Sequence, residues 1–322
     1  MKLGVFTVLF AGSSFEEALD RIAGAGVDCV EIGTGNYPGD AHCRPDELLA
    51  DEAELRGFAD AVASRGLEIS ALSCHGNPLH PQRSVAEPAH AVFRSTVELA
   101  HRLGVERVNV FSGCPGDSDT ATYPNWVTCA WPNEYAELLE WQWNEKVIPY
   151  WRAEASFAAE RDVKLGFEMH PGFVVYNPAT LLRLREACGP AVGANLDPSH
   201  LFWQGIDLEV AIAALGAEGA IHHTHAKDTA INPANAALNG VLDTTPLSDV
   251  RHRSWIFRTV GYGNDSLVWK DIVSNLRLAG YDHAISIEHE DSLMSPAEGL
   301  RKAIEFLRPI VISQPKGEAY WA

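Results

Sequence analysis

The chain has 322 residues, 46% of them hydrophobic, which is enough apolar material for one large α/β domain or two small ones. Its 43 acidic residues outnumber 25 basic ones, and the resulting formal charge of −18 repels nucleic acid and anionic membrane. No run of 18 apolar residues is present to span a membrane. The six cysteines form neither a C-x-x-C pair nor a zinc-ribbon spacing, so buried thiols in a reduced cytoplasmic protein are expected.

Leu3 to Phe10 is apolar behind a single lysine and reads as a first buried strand rather than a leader peptide. One rhythm then repeats: an amphipathic stretch, a glycine or short polar break, and a compact apolar run. Ser14 to Ala23 leads into Val27 to Ile32, Leu55 to Ser64 into Leu67 to Leu72, and Val92 to Leu103 into Val108 to Phe111. Trp151 to Glu160 precedes Val163 to Phe167, and Thr180 to Ala187 precedes Val192 to Leu196. Leu208 to Leu215 precedes Ala220 to Thr224, Ile272 to Ala279 precedes Ala284 to Ile287, and Ala297 to Leu307 closes the series. Glycine suits these helix ends because the closing residue often turns left-handed. Ser14 with Glu17 and Ser295 with Glu298 read as capping boxes, the second with Pro296 at the first helical position. Strands buried on both faces are continuous apolar runs, as these are. Eight such units predict a single (β/α)8 TIM barrel over residues 1–322. A doubly wound open sheet is the alternative, but no glycine-rich phosphate turn follows the first strand. Long connections follow strands 4 and 7, at about 113–150 and 228–264, and both fall on the face where such barrels carry active sites.

Four residues able to ligate a metal stand at the ends of four different strands. Glu168 follows Gly166-Phe167, Asp197 follows Asn195-Leu196, His225 closes His222-His223-Thr224-His225, and Glu288 follows Ser286-Ile287. Parallel strands aim the same end at one place, so these residues are expected to converge. Taken singly, each has a plain structural reading: a helix cap, a turn residue before Pro198, a packed core histidine. Taken together, ionised carboxylates at buried strand ends need a compensating cation. Three carboxylates and one imidazole form a hard donor set that suits Mn2+, Mg2+ or Co2+ rather than a structural zinc. Four protein ligands leave two octahedral positions for the adjacent oxygens of a hydroxy-ketone, whose neighbouring C–H is thereby acidified. The base at that carbon is then Glu168, Glu288 or His170. His75 and Lys227 are candidate substrate contacts, and Lys227 and Asp228 are placed to support His225. Arg251, Arg253 and Arg258 offer either a phosphate contact or surface charge, with no phosphate cradle beside them. The tryptophans of the first long connection could cap the pocket, line a subunit interface or fill the core.

In order and spacing these segments resemble the xylose-isomerase-like superfamily of TIM barrels over most of the chain. That superfamily includes ketose 3-epimerases, inosose dehydratases, hydroxypyruvate isomerases and endonuclease IV-type nucleases. The resemblance implies a metal set at Glu168, Asp197, His225 and Glu288, with manganese the expected ion, and a substrate contact at His200, three residues after the metal aspartate. Ketose epimerases of this group use the equivalents of Glu168 and Glu288 as paired bases. Here Glu168-Met169-His170-Pro171 looks more like the catalytic subunits of C-glycoside deglycosidases, which act on 3-oxo-glycosides. That likeness implies that His170 takes the proton from sugar carbon 2 and that the aglycone leaves carbon 1 by β-elimination. It also implies a small partner subunit, a homo-oligomer being the alternative. Isomerisation or epimerisation of a free sugar is the alternative reaction. An endonuclease IV-like nuclease calls for more histidine ligands and a basic groove, which the charge opposes. A non-catalytic sugar-binding barrel completes the alternatives.

Overall fold

In the computed structural model, which describes residues 1–321, the eight apolar runs become eight parallel strands that close on themselves. They are β1 (Lys2–Phe6), β2 (Cys29–Gly33), β3 (Glu68–Ser73), β4 (Arg107–Val110), β5 (Lys164–Glu168), β6 (Val192–Leu196) and β7 (Ile221–Ala226). A separate antiparallel hairpin follows, β8 (Asp228–Ile231) and β9 (Trp255–Arg258), and β10 (Ala284–Ile287) then completes the barrel between β7 and β1. Strand 1 is shorter than its apolar run because Thr7–Phe10 winds into a tight turn.

The surrounding helices are α1 (Phe15–Gly24), α2 (Pro45–Ala50), α3 (Glu52–Ala63), α4 (Arg83–Leu103), α5 (Asn133–Trp141) and α6 (Ile148–Ala159). The second half carries α7 (Pro178–Cys188), α8 (Pro198–Gln204), α9 (Leu208–Ala217), α10 (Pro233–Asn239), α11 (Ser266–Leu278) and α12 (Pro296–Leu307). Ser14 and Glu17 form the expected reciprocal cap of α1. At α12 Ser295 accepts from the Glu298 amide, but the return bond from Glu298 is not made, so this is half a capping box. Helix α4 begins nine residues before the expected Val92. Pro88 lies only one turn inside it and removes just the bond to the Ser84 carbonyl, so the helix runs through.

The barrel interior is unusual in being filled partly by polar side chains. Asn109 of β4 donates 2.9 Å to Glu31 of β2, and His225 of β7 reaches the same carboxylate at 2.9 Å, so hydrogen bonds span the barrel. Asn195 of β6 accepts from His223 at 3.1 Å and donates to Glu168 at 3.2 Å. Gly166 on β5 makes room for this layer, since a Cβ there would collide with Asn109 Oδ1. Gly166→Ala is therefore expected to lose about 1–3 kcal/mol of stability. Urea unfolding checks this, and an unchanged midpoint would show that the layer can yield.

Both long connections contain structure that short-range patterns did not reveal. In the first, α5 continues through a wide turn, Gln142–Val147, into α6. The fully buried Gln142 ties the preceding loop to it, donating to the Gly116 and Asn125 carbonyls at 3.0 and 2.8 Å. Its tryptophans separate by role. Trp143 and Trp151 belong to the core, with Trp151 edge-on to Phe167 at 4.6 Å, whereas Trp131 is 75% exposed. In the second connection the β8–β9 hairpin and α10 fold over the barrel mouth. Four cysteines are buried, as expected, but Cys129 is exposed. No helix among the described residues is long and apolar enough to cross a membrane.

Candidate metal centre

Glu168 is the last residue of β5, Asp197 and Glu288 directly follow β6 and β10, and His225 is the penultimate residue of β7. The closed barrel brings them together: one donor atom from each lies within 4.8 Å of all the others. Asp197 has two tasks. Its Oδ1 caps α8 by accepting from the Ser199 amide at 2.9 Å, while Oδ2 turns to the cluster, 3.0 Å from Lys227 Nζ. The helix-cap and cluster readings of this residue are thus both satisfied.

His225 joins the cluster to the polar layer below it. Its Nδ1 lies 3.0 Å from Glu288 and 3.4 Å from Glu168, and its Nε2 lies 2.9 Å from Glu31. Burial pushes the imidazole down, but Glu31 and Glu288 outweigh it and hold its pKa well above the usual histidine range. Burial likewise pushes Glu31 up, and His225 and His223 overcome it, so this carboxylate stays ionised. Glu31 is part of this hydrogen-bonded cluster, and the sequence reading missed it. The signal was available: it is the one charged residue in the apolar run Cys29-Val30-Glu31-Ile32.

Of the candidate substrate contacts, His75 and His200 both face Glu168, at 3.0 and 3.1 Å. Lys227 is buried and bridges acids, 2.8 Å from Glu288 and 3.0 Å from Glu290, with the Phe257 ring of β9 at 4.7 Å. Burial pushes Lys227 down, and Asp197, Glu288 and Glu290 more than restore it, so it remains charged. Asp228 does not support His225. It accepts from the Gly261, Gly263 and Asn264 amides at 3.0–3.1 Å and so fastens the far end of the second connection. Two of the three arginines are committed to the protein itself: Arg258 pairs with Asp291 at 3.0 Å, and Arg253 stacks on Trp255 and donates to its carbonyl.

His170 sits beside this cluster, its ring 4.1 Å from that of His200. Nδ1 lies 2.6 Å from the Pro171 carbonyl, so it carries the proton and Nε2 keeps the lone pair. Burial pushes its pKa down to about 3, so the ring is neutral. The cluster opens into a pocket of about 420 Å3 walled by Phe6, Tyr37, Phe111 and Phe173, with His75, His170 and Lys227 among its polar groups.

The residues fit a divalent cation. Asp197 Oδ2 and His75 Nε2 are buried without an aligned hydrogen-bond partner, although charged groups lie about them. Hard carboxylate oxygens and one imidazole are the donors such an ion prefers. Two overlapping groups are weaker. Glu31 with His223 and His225 lies sealed below the pocket, its atoms already spent on Ser73, Asn109 and Asn195. Glu168 with His170 and His200 brings a single carboxylate.

A family model described as a xylose isomerase-like TIM barrel matches residues 19–310. The chain is 38% identical over 314 residues to the uncharacterized protein YfiH of Bacillus subtilis (strain 168), covering 97% of this chain and 99% of that one. Among solved structures, the probable 3-DHS dehydratase AsbF from Bacillus anthracis superposes with a TM-score of 0.64 at 17% identity, covering 96% of this chain and 99% of that one. The 3-keto-D-glucoside 4-epimerase YcjR from E. coli gives a TM-score of 0.64 at 14% identity, covering 96% and 99%. Both structural likenesses are of fold.

Proposed function

This chain belongs to the xylose isomerase-like TIM barrel family, and from that premise we propose that it is a divalent-metal-dependent enzyme that removes a proton beside a sugar carbonyl. Its favoured reaction is cleavage of a 3-oxo-glycoside. The observation that carries the reading is the convergence of Glu168, Asp197, His225 and Glu288 at a pocket whose wall also holds a neutral histidine with a free Nε2. The name of YcjR, a 3-keto-D-glucoside 4-epimerase, is consistent with an oxidised sugar on this scaffold.

The four residues would hold the ion, with Mn2+ the expected choice and Mg2+ or Co2+ also suited, and it would withdraw electrons from the substrate carbonyl at carbon 3. His170 Nε2 takes the proton from carbon 2. The electron pair left behind forms the enolate, and its collapse restores the carbonyl and makes the carbon 1–carbon 2 double bond. The bond from carbon 1 to the aglycone breaks, and the aglycone departs with that electron pair to be protonated. Glu168, in the same cluster as His170, favours the positive imidazolium that forms. Lys227, held by three acids, is a substrate contact at the pocket wall, with His75 and His200 completing it.

His170→Ala is expected to lower kcat by roughly 10²–10⁴ with little change in metal content. Incubation of the Mn2+-loaded protein with a 3-oxo-C-glycoside and with free ketoses tests the reaction. Aglycone release lost in the His170 variant supports it, and epimer formation alone contradicts it. The second reading, sugar isomerisation or epimerisation, draws on the closeness of Glu168 and Glu288 to His225 Nδ1, at 3.4 and 3.0 Å, where two carboxylates could serve as bases. A small partner subunit or a homo-oligomer belongs to the same proposal, and light scattering of the protein co-expressed with its genomic neighbours tests it.

A further inference from the structure

On the outside of the barrel, away from the metal pocket, a groove of about 580 Å3 runs between the first and last helices, α1 and α12. Phe10, Leu300 and Ile304 give it an apolar floor, and the guanidinium groups of Arg21, Arg301 and Arg308 rim it. Two of these are held in place. Arg301 is fixed by Glu305 at 2.9 Å, and Arg308 by the Ala25 and Gly26 carbonyls at 3.0 and 3.2 Å. Three arginines along one apolar cleft stand out on a chain whose net charge is −18.

The chain also carries an apolar element that its own fold leaves in water. Residues 312–321 are exposed throughout. This arm is fastened at its root, where Arg277 in the last turn of α11 donates to the Ile312 and Gln314 carbonyls at 2.9 and 2.8 Å. Toward its end, Tyr320 is 90% and Trp321 76% exposed, and their rings meet edge-on with centres 5.0 Å apart. Adjacent aromatic rings left in water mark an interaction site.

We propose that this arm docks in the α1–α12 groove of a second copy of the chain, the two copies exchanging arms about a twofold axis. The arm is rooted on the α11 side of α12 and the groove opens on its α1 side, so the helix itself separates an arm from its own groove. The reach fits: residues 315–321 extend at most about 25 Å, and the groove from Ala297 to Arg308 is about 17 Å long at about 1.5 Å per residue. The chemistry fits as well. Guanidinium planes stack on the faces of tyrosine and tryptophan, and Glu318 supplies an acid for Arg21. Each aromatic side chain buries about 150–250 Å2. Two exchanged arms, with the groove surface they cover, then remove about 1,200–2,000 Å2, the size of a standard protein interface. None of this depends on the reaction at the metal pocket.

Sedimentation velocity of the full chain across about 1–100 µM tests the exchange. A monomer–dimer equilibrium is expected. Trp321→Ala in the arm and Arg21→Glu on the groove rim, both at exposed positions, are each expected to raise the dimer Kd roughly tenfold or more. An equimolar mixture of the two variants is expected to associate more tightly than either alone, because one intact arm then meets one intact groove. A chain that stays monomeric at every concentration, a dimer that neither variant weakens, or a mixture no tighter than its components overturns the proposal.

Discussion

Glu288→Gln is expected to lower kcat/KM by roughly a thousandfold or more, about 4 kcal/mol of barrier, while the barrel stays folded. The side chain is held from two sides, by Lys227 Nζ at 2.8 Å and His225 Nδ1 at 3.0 Å. Burial pushes its pKa up, but Lys227 and His225 pull it down to about 2, so it carries full charge at neutral pH. Glutamine keeps the shape and removes the charge, deleting one donor to the ion and one candidate base together. The backbone has little reason to move, because the residue 288 amide bonds the Ala226 carbonyl at 3.3 Å whatever the side chain. Lys227 retains Asp197 and Glu290 as partners. Steady-state kinetics with elemental analysis checks the outcome, and a wild-type rate with full metal content would remove Glu288 from both roles.

Glu31→Leu is expected to be the most damaging substitution away from the pocket wall. It strips the acceptor from His225, Ser73 and Asn109 at once and leaves His225 without its lower partner. Breaking a buried pair from one side costs about 3–5 kcal/mol. It should also weaken metal binding by roughly 10–100-fold, the usual effect of losing the group that orients a ligating imidazole. Glu31→Gln keeps one oxygen acceptor and is expected to fall between. The pH dependence has a definite sign in the metal-free protein. Glu31 is depressed when folded, so its contribution is present above an unfolded pKa of about 4.3 and lost as pH falls toward the folded value. His225 is raised, so its contribution is complete below an unfolded pKa of about 6.5 and lost as pH rises through the folded value. The stability gap between wild type and Glu31→Leu should therefore be widest between those limits. Urea unfolding across pH measures it, and a gap independent of pH would show that the loss is one of packing alone.

What the sequence disclosed and what it hid follow from how far each interaction reaches. The barrel strands are apolar runs buried on both faces, so their existence is a local property, and their ends moved by only a few residues. Glu168, Asp197 and Glu288 were visible as acids at the ends of such runs, and parallel topology alone brings them together. Glu31 was hidden because its role depends on which face of β2 looks inward and on His225, which lies 194 residues away. The β8–β9 hairpin escaped notice for a similar reason: each strand has four residues, and the pairing of Asp228 with Arg258 closes a long excursion. Asp228 looked like support for its neighbour His225, yet its carboxylate faces the Gly261–Asn264 amides instead. The tryptophans of the first connection could not be sorted by spacing, because its path is irregular: Trp126 and Trp141 are half-buried, Trp131 is exposed, and Trp143 and Trp151 lie in the core.

Everything chemical here depends on a single cation held by three carboxylates and one imidazole. Calorimetric titration of chelator-treated protein with Mn2+ at neutral pH, repeated in buffers of different ionisation enthalpy, addresses that directly. One ion per chain is expected, with release of about one proton as His225 gives up its Nδ1 hydrogen, and loss of binding in Asp197→Asn. No binding by the folded protein, or equal binding by the Asp197 variant, would contradict it.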